Sequence, residues 1–172
     1  RNAVKFRNLA VLSIALAASA CAGPPPGKSV SGPRIALAQV KLEPETARAM
    51  INAYRAKRGL AALKLEKLLT RAAKRHAADL ARGDRLSHTG SDGSDPWTRV
   101  AASGYNPQLA AENVGVGQRS FTELLQGWKD SPGHNRNLLV ADATQMGIAL
   151  ATNPRGRYKT FWVLVLGNPS RS

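Results

Sequence analysis

The sequence predicts an α+β protein in which helices come first, strands come last, and a small antiparallel sheet is covered by helices. Apolar residues recur every three or four positions between Pro44 and Trp128, whereas from Met146 onward they alternate with small residues. Turn-forming clusters of Gly, Pro and Asn fall where the pattern changes.

Each element has its own signal. Pro44 suits a first helical position, and Ala47, Met50, Ile51 and Tyr54 share one face of a helix that stops at Gly59. Leu65, Leu68, Leu69, Ala72, Ala73, His76 and Leu80 describe a second helix, closed by Gly83. Asp95 before Pro96 opens a short third helix that Gly104 terminates. Ser120 and Glu123 have the spacing of a capping box, followed by the apolar stripe Phe121, Leu124, Leu125 and Trp128. His134, after Ser131-Pro132-Gly133, suits the first residue of a short helix leading into Leu138 and Leu139. Met146, Ile148 and Leu150 form a strand, Asn153-Pro154-Arg155-Gly156 turns the chain, and Tyr158 to Leu166 returns antiparallel to end at Gly167. Val114 and Val116, within Asn113 to Gly117, supply a further strand.

Residues 1–20 read as an export signal: Arg1, Lys5 and Arg7, an apolar run over residues 9–18, then the small-residue site Ala18-Ser19-Ala20-Cys21. The run has about half of the ~20 apolar residues a membrane-spanning helix needs. Cys21 is the only cysteine. The segment resembles a bacterial lipoprotein signal, which implies that Cys21 is acylated as the first mature residue; ordinary secretion with an incidental cysteine is the alternative. No internal disulfide can form, so the core must hold the fold. Residues 22–34 are rich in Pro, Gly and Ser and read as a linker, and residues 35–42 either dock or stay mobile. The expected organisation is a lipidated tether over 21–42, one folded domain over 43–168 and a tail over 169–172.

The formal net charge is +14, and only three of the basic residues lie in the signal. For an exported protein the anionic partners to expect are a polyanion, a lipid or a cell-wall ligand of the envelope; the alternative is that Lys and Arg only solvate helix faces. Nucleic acid is not an expected partner, since no motif for it is present and export separates the two. The protein is expected to be a monomer.

Three residues stand out in turn-forming surroundings: His88 in Ser87-His88-Thr89-Gly90, Glu112 in Ala111-Glu112-Asn113, and His134 in the phrase from Trp128 to His134. Imidazole and carboxylate hold divalent metals or move protons near neutral pH. His76 lies on an apolar helical stripe and reads as a satisfied core histidine. Glu123 is explained by capping. Ser131, three positions before His134, lines the cleft or caps a helix; Ser-Pro-Gly is not the strand-to-helix elbow of a hydrolase nucleophile.

The order of phrases resembles the CAP superfamily, named for cysteine-rich secretory proteins, antigen 5 and pathogenesis-related-1 proteins, and in particular its short bacterial SCP-like branch. The resemblance runs from Pro44 to Gly167 through Asn52-Ala53-Tyr54-Arg55, Gly59-Leu60, Ala72-Ala73, Ser87 to Gly93, Gly104-Tyr105, Ala111-Glu112-Asn113, Trp128 to His134 and Met146-Gly147-Ile148. It implies an α-β-α sandwich with an open cleft in which two His and two Glu meet and the imidazoles take zinc or another divalent cation. His88 and His134 match the histidines, which makes them the expected metal ligands, and Glu112 matches the Glu before Asn. The second Glu is absent, and Ser131 is the expected occupant of its place.

A non-enzymatic envelope binding module with a partial His88, Glu112, Ser131 and His134 cleft is therefore expected. One alternative is a metal-dependent hydrolase of peptide or cell-wall substrate, with Glu112 as its catalytic base; another is a structural envelope protein with a vestigial cleft. Sterol binding, implied by some relatives, is not expected, because the segment between Trp128 and His134 is short and lacks aromatics.

Overall fold

The structure, a computed structural model, describes residues 36–170, so the export signal and Cys21 lie outside the described residues. Helices α1 (Pro44–Ala56), α2 (Lys67–Gly83), α3 (Pro96–Ala102), α4 (Phe121–Asp130) and α5 (Pro132–Leu138) surround strands β1 (Lys64–Leu65), β2 (Pro107–Val116), β3 (Gln145–Thr152) and β4 (Thr160–Pro169). The strand order is β1-β3-β4-β2. β3 and β4 form the expected hairpin, with Ile148 opposite Leu164, and β2 pairs antiparallel along the other side of β4, with Glu112 opposite Val165.

β4 explains the layering. Phe161, Val163 and Val165 pack beneath α2 and α3 with Leu69, Ala73, Leu80 and Val100. Trp162, Leu164 and Leu166 face the other way, onto Ile51 of α1, Leu124, Leu125 and Trp128 of α4, and Leu138 of α5. A strand covered on both faces needs an unbroken apolar run, which is what Phe161 to Leu166 supplies. The α-β-α sandwich is thus formed. α2 lies so close to β3 that a Cβ at Gly147 would collide with the backbone of Leu69 and Thr70.

Several element boundaries differ from the sequence reading. Leu65 belongs to β1, which pairs parallel with β3 and makes the sheet mixed; α2 starts only after Glu66, whose side chain accepts from the Leu68 amide. Gly83 is the last helical residue of α2, and Asp84 takes the left-handed conformation (φ 44°) while its carboxylate accepts from the amides of Arg157 and Tyr158. His134 is the third residue of α5, behind the Pro132 that starts it. β2 begins at Pro107, and β4 continues past Gly167 to Pro169. Glu123 behaves as read: its amide donates to Ser120 Oγ and its carboxylate reaches back to the Arg119 amide. Near the described N-terminus, Val40 is buried, and Leu37 and Leu42 pack against the core beside it.

Arg55 is fully buried. Its guanidinium donates to the carbonyls of Ala61, Leu138, Val140 and Ala143, which joins the turn after α1 to the segment between α5 and β3. Removing the guanidinium leaves buried carbonyls without donors, each costing about 1–3 kcal/mol. Arg55→Leu should therefore lower the urea midpoint by an amount equivalent to about 3 kcal/mol or more, and a variant as stable as the parent would show that these carbonyls find other partners.

Candidate functional site

The edge strand β2 organises the candidate residues. Side chains alternate across a strand. Val114 accordingly packs in the α2/α3 layer, while Leu109 and Ala111 pack toward α1, α4 and α5. Glu112 shares the Val114 side, and Asn113 the other.

Glu112 is almost completely buried, its side chain 2% exposed. Arg99 Nη2, from α3, bridges both carboxylate oxygens at 3.0 and 2.8 Å and also donates to the His88 carbonyl at 2.8 Å. His88 Nδ1 donates to Glu112 Oε1 at 2.9 Å, from a ring whose side chain is 53% exposed on the α2–α3 loop. An unprotonated His88 ring so held carries its free lone pair on Nε2, because Nδ1–H is committed to the carboxylate.

His76 belongs to this group, contrary to its reading as a satisfied core histidine. It is buried on the apolar face of α2 as expected. Its Nε2 donates to the Ser87 carbonyl at 2.9 Å and stands 3.7 Å from Glu112 Oε1, while buried Nδ1 has no partner. Burial, foremost, and the nearby Arg99 charge hold its pKa below the ordinary imidazole value, against the opposing pull of Glu112. One imidazole thus fixes the carbonyl immediately before the other.

On the far side of β2, Asn113 Nδ2 donates to the His134 carbonyl, and Asn137 Nδ2 donates to both the Glu112 carbonyl and Asn113 Oδ1. These bonds dock α5 on the strand and explain why Asn follows Glu112 in the sequence phrase. His134 Nδ1 is 2.9 Å from Oγ of Ser131, the N-cap residue of α5. Burial, then the charge of His88, lowers the pKa of His134. The segments that carry His88 and His134 are therefore both docked on the edge strand, one through Glu112 and the other through Asn113, with Nδ1 of each ring engaged by a protein oxygen.

Sequence reasoning missed Arg99 and misassigned His76. No spacing marks Arg99, which lies in a short helix. The signal for His76 was that it is the one ionisable residue on an otherwise apolar stripe. Among the described residues, no three His, Cys, Asp or Glu side chains form a set that could hold a metal ion. Glu112 is enclosed by Arg99 and His88, so of the residues that the resemblance implies for a divalent cation only the two imidazoles keep a ring nitrogen, Nε2, without a protein partner among the described residues.

An α-β-α sandwich whose edge strand carries Glu-Asn between two histidine-bearing segments defines the class of protein. The chain belongs to the CAP family, the cysteine-rich secretory protein family, whose pattern matches residues 48–166. It is similar to the uncharacterised protein YkwD of Bacillus subtilis, at 27% identity over 99 residues, covering 58% of this chain and 38% of YkwD. The uncharacterised membrane protein YlbC of the same organism is 27% identical over 101 residues, covering 59% of this chain and 29% of YlbC. The chain thus spans well under two thirds of both relatives.

Two solved structures share the fold. An outer surface protein of Borrelia burgdorferi aligns with TM-score 0.65 and 22% identity, covering 73% of this chain and 92% of that one. An extracellular SCP-domain protein of Bacillus anthracis aligns with TM-score 0.64 and 23% identity, covering 74% and 44%.

The lowered pKa values of His76 and His134 set a pH dependence. Unfolding restores both imidazoles toward about 6.5, so the unfolded chain binds more protons between that value and the folded pKa values. Stability is therefore expected to fall as pH drops below about 6.5 and to level off beneath the folded pKa values. Urea midpoints at pH 7.5 and 5.5 should differ more for the parent than for His76→Asn; equal differences would show that His76 titrates alike in both states.

Proposed function

We propose that this is an extracytoplasmic CAP-domain protein of the bacterial cell envelope, acting as a non-enzymatic binding module whose His88 and His134 imidazoles can take a divalent cation. The position of Glu112 supports this reading most strongly. A general base needs access to the proton it abstracts, but this carboxylate is buried, bridged by Arg99 and engaged by His88. Its geometry suits a brace. A carboxylate behind a histidine fixes the ring's orientation and tautomer and strengthens its outer nitrogen as a ligand. Two imidazoles leave other coordination positions to solvent or to an envelope ligand, where a cation would supply Lewis acidity and charge.

A metal-dependent hydrolase of peptide or cell-wall substrate is the second reading, and the Ser131–His134 contact is the observation that favours it. Against it, Ser131 sits at a helix N-cap, and the other polar contact of His134 is made by its backbone carbonyl, to Asn113. An oriented triad needs a third group on the imidazole. The structural reading, with a vestigial cleft, gives no reason for an exposed His88 ring to be held by a buried carboxylate. The extracellular and outer-surface proteins that share the fold support the envelope assignment. Among the described residues no helix is long and apolar enough to cross a membrane, and anchoring through an acylated Cys21 is part of this proposal.

Zinc titration by calorimetry should show one cation bound per chain, with affinity lost in His88→Ala/His134→Ala. Glu112→Gln should weaken it about 10- to 100-fold. Absence of binding to the parent removes the metal from the proposal. Metal-dependent cleavage of peptide or cell-wall substrate, abolished in Glu112→Gln, would replace the binding module with the hydrolase.

A further inference from the structure

The first half of α2 carries Lys67, Arg71, Lys74 and Arg75, all exposed and on one face at spacings of three, four, seven and eight residues. No Asp or Glu occurs between Lys67 and Ala78. Three other exposed or half-exposed arginines have carboxylate partners, in Arg48–Glu45, Arg82–Asp79 and Arg85–Asp79, whereas Arg58, Arg119, Arg136, Arg155 and Arg157 stand singly, without the same-face clustering found on α2. Among the described residues, none of these four cations makes an ion pair.

This placement works against helix stability. Lys67 stands in the first turn, where the positive end of the macrodipole disfavours a cation, and the like charges three or four residues apart repel. Solvating a helix face does not require that arrangement, since the same residues could alternate with Glu. An external anion would reverse both penalties.

The four cations line a groove of about 600 Å³ with Pro44 and Leu65. Glu66 also lines it, but its carboxylate is occupied in capping α2. A neighbouring hollow shares Pro44, Thr70 and Lys74 with the groove and adds Val40 and Lys41, so the chain enters the domain beside this face. Residues 1–35 precede that entry point and hold the expected tether. The segment that carries the expected tether therefore joins the domain at the border of this face.

We propose that the α2 groove is a docking surface for an anionic phospholipid bilayer, with Lys67, Arg71, Lys74 and Arg75 on the headgroup phosphates and the apolar floor against the interface. This deepens the envelope reading and rests on it for its biological setting. Polybasic clusters of four or more residues near a tether bind anionic membranes in this manner, each cation contributing about fivefold. A single acyl chain holds only reversibly, so a basic patch is the kind of second attachment it needs.

The unit Ile35–Ser172 is compact by itself and suits a sedimentation assay free of the signal. It should bind vesicles of phosphatidylcholine with phosphatidylglycerol at about one lipid in three, bind pure phosphatidylcholine vesicles far less, and be released by salt as screening predicts. Replacing Lys67, Arg71, Lys74 and Arg75 with Gln should cut binding by about 600-fold while leaving thermal stability equal or higher. Replacing Lys57, Arg119, Arg136 and Arg155 with Gln removes the same charge elsewhere and should cost much less.

Equal binding to both vesicle types, undiminished binding of the α2 variant, or equal loss in the two variants would overturn the proposal. So would retention by inorganic polyphosphate without retention by vesicles, which points to a soluble polyanion. Cell fractionation tests the envelope reading separately: recovery from the cytoplasm would sink that reading whatever the vesicles show.

Discussion

Residues Phe161 to Leu166 of β4 are buried on both sides, and this constraint sets the arrangement of the elements around them. A strand without a polar face needs two partners in the sheet and a helical layer above and below. β3 and β2 supply the pairing, α2 and α3 one layer, and α1, α4 and α5 the other. The small residues of α2 and Gly147 allow that helix to approach the sheet closely. β2 is left at an edge, and the candidate site is built there.

The site's electrostatics follow from burying a carboxylate at that edge. An isolated buried charge is strongly unfavourable, so Glu112 requires a cation and hydrogen bonds where water cannot reach. Arg99 meets this need, and the same guanidinium nitrogen holds the His88 carbonyl. One side chain therefore neutralises the carboxylate and anchors the loop that carries His88. His76 anchors the preceding carbonyl from below. The exposed imidazole is thus positioned by a buried network, while its counterpart on α5 is positioned by Asn113, Asn137 and Ser131.

Much of the architecture was legible because it depends on local pattern. The capping pair Ser120 and Glu123, the Pro44 and Pro96 helix starts, and the unbroken run of β4 are each written in a few neighbouring residues. Leu65 was misplaced because its spacing to Leu68 and Leu69 fits a helix, whereas Glu66 caps α2 one residue later and pairing with Met146 claims Leu65 for a strand. The beginning of β2 was missed because Ala110 and Ala111 give little alternation.

The sequence by itself determined the class of fold, the starts of α1, α3 and α4, and the candidacy of His88, Glu112 and His134, since periodicity, caps and residue chemistry are properties of short stretches. Tertiary structure decided what those residues can do. It placed Arg99 and His76 against Glu112 from two separate helices, so that the carboxylate is buried and engaged, and it docked the segments that carry His88 and His134 on the same edge strand through Glu112 and Asn113. Hydrogen bonds and charge pairs between residues so far apart in the chain depend on how the layers close over β4. No local pattern along the chain records that.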